Sequence, residues 1–317
     1  MQQQENETMQ TILGSGGTIG VELARILPQY TDKVRLVSRR PQKVIGNEEL
    51  VSADLTKPAD AMKAVEGSTV AYLTVGLPYF AKVWEKDWPV IMSNVITACE
   101  QHHCNLVFFD NIYMYDPKYL DQMDENTPMN PASRKGKVRA LIAEMMMGEV
   151  AKGRLTALIA RSADFYGPGL QNSGMVRELV FKKIAAGEKA NWMCSFQYKH
   201  SATYTPDAAK ATALLGNTDD AYNQVWHLPT AAAPPTGKEW IELIADEMNL
   251  MPETQLAPKF LVRIMGLFMP LMREMVEMLY QYDRHYVFIS KKFEDRFDMK
   301  PTPYLEGIKQ VVQRDYK

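Results

Sequence analysis

Short apolar runs alternate along the chain with longer stretches whose apolar positions recur at helical spacing. Met9–Leu13 is a short apolar run that stops at Gly14. Ile19, Val21, Leu23, Ala24, Ile26 and Leu27 then repeat with the period of a helix. Lys33–Ser38, residues 49–53, residues 69–75, Asn105–Asp110 and residues 156–161 read as further strands. Long helical patterns cover residues 80–103 and 131–151, the second with Asn130-Pro131 as cap and first-turn proline. Strands that alternate with helices, and are apolar enough to be buried on both faces, predict an α/β fold with a doubly wound parallel sheet. Beyond Gly167-Pro168-Gly169 the pattern loosens into helices at 175–186 and Gly237–Met248, short strands at 201–205 and 224–227, and a Met- and Phe-rich helical region at 258–282. The organisation read from this is a polar tail at 1–8, a nucleotide-binding domain at 9–170 and a smaller C-terminal α/β lobe at 171–317. Residues 201–230 or so are expected to return to the first domain.

The turn after the first strand carries the chemistry. It reads Gly14-Ser15-Gly16-Gly17-Thr18-Ile19-Gly20. The first glycine permits a sharp turn, Gly16 or Gly17 lets backbone N–H groups approach a pyrophosphate, and Gly20 lets the helix lie against the strand. Strand, glycine turn and helix in that order predict a Rossmann-type dinucleotide site, with the helix N-terminus facing the phosphates. The second strand ends in Ser38-Arg39-Arg40, with no carboxylate to bond the ribose hydroxyls of NAD. A hydroxyl and two guanidinium groups suit a ribose phosphate instead, so NADP(H) is favoured over NAD(H). The competing reading is a solvated turn. Asp54-Leu55, after the third strand, reads either as an adenine contact or as a cap for the helix near Pro58. Val75-Gly76 would bring backbone close to the nicotinamide half.

Composition narrows the partners. The net charge is −2, so nothing global points to nucleic acid or an anionic membrane. The three cysteines and five histidines show no disulfide frame or metal spacing. The first eight residues lack the pattern of a signal peptide, and the apolar stretch 260–272 is broken by Arg263, Gly266 and Pro270. A cytoplasmic protein with a small-molecule substrate is the expectation. Met265, Met269, Met272 and Met275 lie at helical spacing and read as core or as the wall of an apolar pocket. Trp84 and Trp88 read either as core or as part of a homodimer face.

These motifs, in this order, resemble the short-chain dehydrogenase/reductase superfamily, and within it the extended NAD-dependent epimerase/dehydratase group. The matching segments are Gly14-x-x-Gly17-x-x-Gly20, Asp54-Leu55, residues 107–115, Arg161 through Tyr166-Gly167-Pro168-Gly169, residues 204–209 and residues 297–309. The resemblance implies a hydride exchanged with a nicotinamide cofactor while a Tyr hydroxyl moves the proton. A Lys four residues on supports the Tyr, and a Ser or Thr orients the oxygen. This chain departs there: Lys135 stands where Tyr belongs, Arg139 where Lys belongs, and Asn111 at the Ser/Thr position. Lys135 and Arg139 share a helix face that either points to the cofactor, with Arg139 able to bond its ribose, or lies solvated on the exposed first turn. Lys135 serves as a base only if burial or Arg139 depresses its pKa. Asp110, Asn111 and Tyr113 are the candidates to bind and polarise a carbonyl, with Tyr113 either the proton donor or a packing residue at the sheet's edge. Tyr166, Asn172 and Ser173 fall in the segment where family members contact substrate. The reading is an NADP(H)-binding oxidoreductase or epimerase-like enzyme of atypical kind; the alternative is an NADP(H)-binding sensor without turnover.

Overall fold

The computed structural model describes residues 8–170 and 174–317. Its centre is a seven-stranded sheet built from β1 (Met9–Leu13), β2 (Lys33–Ser38), β3 (Glu49–Ser52), β4 (Val70–Leu73), β5 (Asn105–Asp110), β6 (Ala157–Arg161) and, out of chain order, β10 (Val225–His227). The order across the sheet is β10-β6-β5-β4-β1-β2-β3 and every pairing is parallel. The fold class expected from the hydrophobic pattern is therefore the one observed. The near-continuous apolar strands have a simple cause: successive side chains point to opposite faces, and both faces are covered. Leu13 packs among residues of α2 (Pro58–Val65), α3 (Ala81–His102) and α4 (Arg134–Ala151). Its neighbour Ile12 packs on the other face, among residues of α1 (Thr18–Ile26) and α6 (Thr205–Gly216).

The remaining elements form a second body of structure over the carboxyl ends of β5 and β6. β7 (Asp164–Tyr166) pairs with β9 (Ala202–Tyr204), and β8 (Ala190–Met193) pairs with β11 (Thr254–Ala257). α5 (Lys182–Ala185), preceded by a wide helical turn, α7 (Gly237–Met248) and α11 (Tyr304–Asp315) enclose a core around Tyr166, Trp192 and Trp240. A helical hairpin of α8 (Lys259–Phe268) and α9 (Pro270–Val276) follows, and α10 (Lys291–Phe297) returns to the sheet beside β10.

Two expectations need correction. The helix predicted from Pro131 starts at Arg134, because Ser133 is the cap and its Oγ accepts the N–H of Gly136. Asn130 instead donates to Asp116. The methionine stripe is core only in part: Met275 is buried, Met265 and Met272 are half-buried, and Met269 is exposed. Trp84 and Trp88 are buried within this chain. Among the described residues no helix is long and apolar enough to cross a membrane, and no cluster of His, Cys, Asp and Glu is arranged to hold a metal ion.

Candidate functional site

The strand order reverses between β1 and β4, and a doubly wound sheet opens a crevice at such a point. The glycine turn lies there. Gly14 has φ of +102°, and a Cβ on it would sit 2.6 Å from the backbone nitrogen of Val75. Its N–H and that of Ser15 both donate to Val37 O, which fastens the turn to β2. A Cβ on Gly20 would meet Gly14 O at 2.8 Å, so that glycine sets the close approach of α1 to β1. Gly16 differs: a Cβ there meets nothing within 4 Å, and the same holds for Gly76 across the crevice. Gly17 caps α1 without a side-chain acceptor, and no acid stands in the first turn. Ser15 Oγ is buried with no hydrogen-bond partner among the described residues. An open backbone, an uncapped helix end and an orphaned hydroxyl fit the pyrophosphate of a dinucleotide. Ile19 is buried behind the turn and Thr18 opens the helix.

Ser38 ends β2, and Arg39 and Arg40 follow it exposed to solvent. Neither guanidinium forms an ion pair among the described residues. Asp54 forms a local turn in which Oδ1 accepts from the N–H and the hydroxyl of Thr56. Those bonds, with smaller help from Lys57 and Arg39, hold its carboxyl below the ordinary value. The cap of α2 is Lys57, so Asp54 supports the turn before the helix rather than the helix itself. Leu55 is buried, and its carbonyl accepts from Asn94. Val75 lines the crevice against Gly14.

At the head of α4 the structure overturns the sequence reading. Gly136 lets the helix come so close to the turn after β5 that a Cβ would collide with Tyr113 O. Lys135 is fully buried and faces α9. Its ammonium donates to Glu274 Oε2 and Glu277 Oε1, each at 2.6 Å, and to Glu274 O at 3.2 Å. An ammonium has three donors, and all are spent, so Lys135 is a structural ion and not a base. It also lies 4.5 Å over the Tyr79 ring. Arg139 is equally withdrawn. Its Nε donates to Asp110 Oδ1 at 2.6 Å, and its guanidinium lies 4.6 Å from the Trp88 ring centre and 4.9 Å from that of Phe108. It is thereby committed to Asp110 and the aromatic rings around it rather than to a cofactor ribose. Asp110 is fully buried between Arg139 and Arg161, so it is not a substrate ligand either.

Two of the β5 candidates remain at the crevice. Asn111 uses Oδ1 to accept the N–H of Tyr113 at 3.0 Å, and its Nδ2 has no partner among the described residues. Tyr113 is half-buried, stacks on Trp84 and accepts from the Tyr79 hydroxyl at 3.4 Å. Burial first, and the Asp164 carboxylate second, push its hydroxyl well above the ordinary tyrosine range.

Asp164 is the residue the sequence reading missed. It begins β7, and its Oδ2 accepts from His200 Nε2 at 2.8 Å and from the Tyr282 hydroxyl at 3.0 Å. A carboxylate only accepts, so His200 carries its proton on Nε2. The His200 ring is sandwiched between Tyr282 and Tyr286, with centroids 4.7 and 4.4 Å away. Burial raises the hydroxyls of Tyr79, Tyr113, Tyr280, Tyr282 and Tyr286, and the partly exposed Asp164 carboxylate adds to the shift at each. The available signal was an acid inside an otherwise apolar and aromatic strand of the Arg161–Gly169 segment. Tyr166, expected at the substrate, is 1% exposed and packs against Tyr204, Trp240 and Tyr304, so it is lobe core. Asn172 and Ser173 lie outside the described residues.

Comparison with known proteins accords with this geometry. Residues 11–226 match the model of the NAD dependent epimerase/dehydratase family. A search of curated proteins finds no match. Among solved structures, the UDP-glucose 4-epimerase of Thermus thermophilus in complex with NAD is similar at 17% identity and TM-score 0.77, over 97% of this chain and 98% of that one. The UDP-N-acetylglucosamine 4-epimerase of Bacillus cereus is similar at 14% identity and TM-score 0.76, over 98% of each chain. At such identities the likeness speaks for the fold, and the family match speaks for descent. The chain belongs to the NAD-dependent epimerase/dehydratase family.

Proposed function

We propose that the protein is an atypical NADP(H)-dependent oxidoreductase or epimerase-like enzyme acting on a small carbonyl or alcohol compound. The observation that carries the reading is the hydrogen-bonded Asp164–His200–Tyr282 cluster, whose carboxylate also acts on the Tyr113 hydroxyl, in a chain that carries the glycine turn. The nicotinamide dinucleotide, held by Gly14 to Gly20 with Asp54-Leu55 at the adenine end, supplies or accepts hydride when bound. Ser38, Arg39 and Arg40 favour the 2′-phosphorylated form, because guanidinium groups pair with phosphate and no acid stands where NAD-binding chains place one.

The chain's own residues have distinct tasks. Tyr113 is held protonated at neutral pH, so it donates a hydrogen bond to a carbonyl oxygen and protonates the alkoxide as charge develops there. Asn111 Nδ2 is a second donor to that oxygen. Asp164 keeps Oδ1 for a substrate hydroxyl, while His200 and Tyr282 hold the carboxylate in place. One observation favours the rival reading of a sensor without turnover: Lys135 and Arg139 are locked into internal ion pairs.

The test is NADPH and NADH oxidation over aldehydes, ketones and nucleotide sugars, the last included because the related structures are UDP-sugar epimerases, with binding measured in parallel. Turnover is expected with NADPH. Tyr113→Phe and Asp164→Asn each lower it about a hundredfold or more while leaving dinucleotide affinity intact. Arg39→Ala narrows the preference for NADPH over NADH. Tight binding with no turnover across the panel establishes the sensor, and equal affinity for both dinucleotides removes the NADP assignment.

A further inference from the structure

Helix α8 carries its apolar face outward. Its buried positions are Val262 and Gly266, one turn apart. Phe260, Leu261, Ile264, Leu267 and Phe268 are exposed, Phe268 to 81%. Spaced i, i+1, i+4, i+7 and i+8, they form one stripe, the kind a soluble helix normally turns to its core. Met269 and Leu271 carry the exposed apolar surface across the turn into α9. A contiguous patch of this kind marks an interaction site.

Three observations say what covers it. The first is charge. Residues 256–273 contain no Asp or Glu but hold Arg263, Arg273 and, paired with Asp283, Lys259, in a chain whose net charge is −2. Beside the tip, a cleft lined by Phe80, Lys82, Arg134, Pro270, Arg273 and Glu274 adds Lys82 and, paired with Glu85, Arg134. Its one acid, Glu274, is already spent on Lys135 and the N–H of Ala81. The second is the backbone at the end of α8, several of whose orphan groups are met within the hairpin. Arg273 Nε donates to Gly266 O and Nη2 to Leu267 O, and the N–H groups of Met269 and Arg273 close on Met265 O and Met269 O. A helix end needs such partners before it can enter a medium that cannot hydrogen-bond. The third is the tip itself, Leu267 to Leu271, whose side chains are all apolar. A protein partner would find no polar side chain there to fix its register, whereas protein interfaces carry about one hydrogen bond per 100–200 Å².

We propose that the α8–α9 hairpin docks the protein on a bilayer surface rich in anionic phospholipid. The tip sits at the boundary of headgroups and acyl chains, and Arg263 and Lys82 face the lipid phosphates. Net charge averages this patch away, which is why composition alone predicts no membrane partner. The inference does not depend on turnover by the crevice.

The experiment is flotation of the full-length chain with phosphatidylcholine vesicles, alone or with about one third phosphatidylglycerol. The protein is expected to float with the anionic vesicles, to bind the zwitterionic ones about tenfold more weakly, and to be released as salt is raised. Leu267→Ser with Phe268→Ser abolishes flotation, and Arg263→Glu weakens it about tenfold, both with the wild-type melting temperature. Wild-type protein that ignores anionic vesicles overturns the proposal, as do variants that float like wild type. A dimer in sedimentation velocity that the double variant dissolves also overturns it, because the face then belongs to a second copy. Should the double variant unfold, Arg263→Glu decides alone.

Discussion

At the scale of single residues, two glycines in one turn serve different ends, and substitution separates them. A Cβ on Gly20 lies 2.8 Å from Gly14 O and 2.9 Å from Ser15 Cα, so alanine there must push α1 off β1. Overpacking of this kind costs about 1–3 kcal/mol. A Cβ on Gly16 meets nothing of the protein, so Gly16→Ala leaves stability within about 0.5 kcal/mol of wild type. On the proposed reading of the turn it projects toward the pyrophosphate, and dinucleotide affinity is expected to fall about tenfold or more. Thermal melting and calorimetric titration with NADPH read the two effects apart. A Gly16→Ala variant that binds as wild type would place the phosphates elsewhere. The glycine turn was legible in the sequence because its constraint is local: strand, turn and helix are consecutive, and sterics dictate the residue type. Asp164 and His200 were not, since they are 36 residues apart and only the pairing of β7 with β9 brings them together.

At the scale of elements, the head of α4 shows how a site position becomes a fastening. The sequence places Lys135 and Arg139 on one face, and they do share it, yet each finds an internal counter-charge. For Lys135 the partner is 139 residues away on α9, a distance no local pattern reports. Burial raises the Glu274 carboxyl, but the Lys135 ammonium and the Ala81 N–H together outweigh it and hold the group below its ordinary value. Removing one member of a buried pair strands the other charge, at a cost of about 3–5 kcal/mol. Lys135→Met is therefore expected to lower the melting temperature and speed hydrogen exchange in α9, Pro270–Val276. Adding Glu274→Gln and Glu277→Gln recovers part of the loss, because the stranded carboxylates are then gone. Exchange in α9 that does not change with Lys135→Met would show that the ion pair is not what holds the hairpin down. Strand positions, by contrast, were legible nearly to the residue. Burial on both faces writes an unbroken apolar run, and β1, β2 and β5 have the bounds the pattern predicts.

At the scale of the whole molecule, one buried histidine ties the C-terminal chain back to the sheet. His227, on β10, donates from Nδ1 to Ile289 O at 2.9 Å and accepts at Nε2 from the Tyr115 hydroxyl at 2.6 Å. Tyr115 in turn accepts from Arg161, and burial leaves its hydroxyl pushed up to about 12. The imidazole stacks on Phe288 with centroids 3.9 Å apart. Burial, followed by the nearby Arg161 charge, holds the His227 pKa well below its ordinary value, so the ring is neutral in the folded protein. In the unfolded chain it takes a proton below about pH 6.5. The unfolded state then binds more protons than the folded one, and stability contributed by His227 is full above that pH and lost as pH falls beneath it. The expected slope is up to about 1.4 kcal/mol per pH unit. Glu125, whose carboxyl accepts the His227 N–H, is raised by burial; it takes up a proton in the folded state as pH falls and so acts in the opposite sense. The comparison that isolates the histidine is denaturant unfolding of wild type and His227→Gln between pH 7.5 and pH 5, or roughly that window. The variant is less stable at neutral pH, and its stability curve is flatter below pH 6.5 or so by the histidine's share. Parallel curves for the two proteins would mean that His227 does not hold the returning chain through its neutral form.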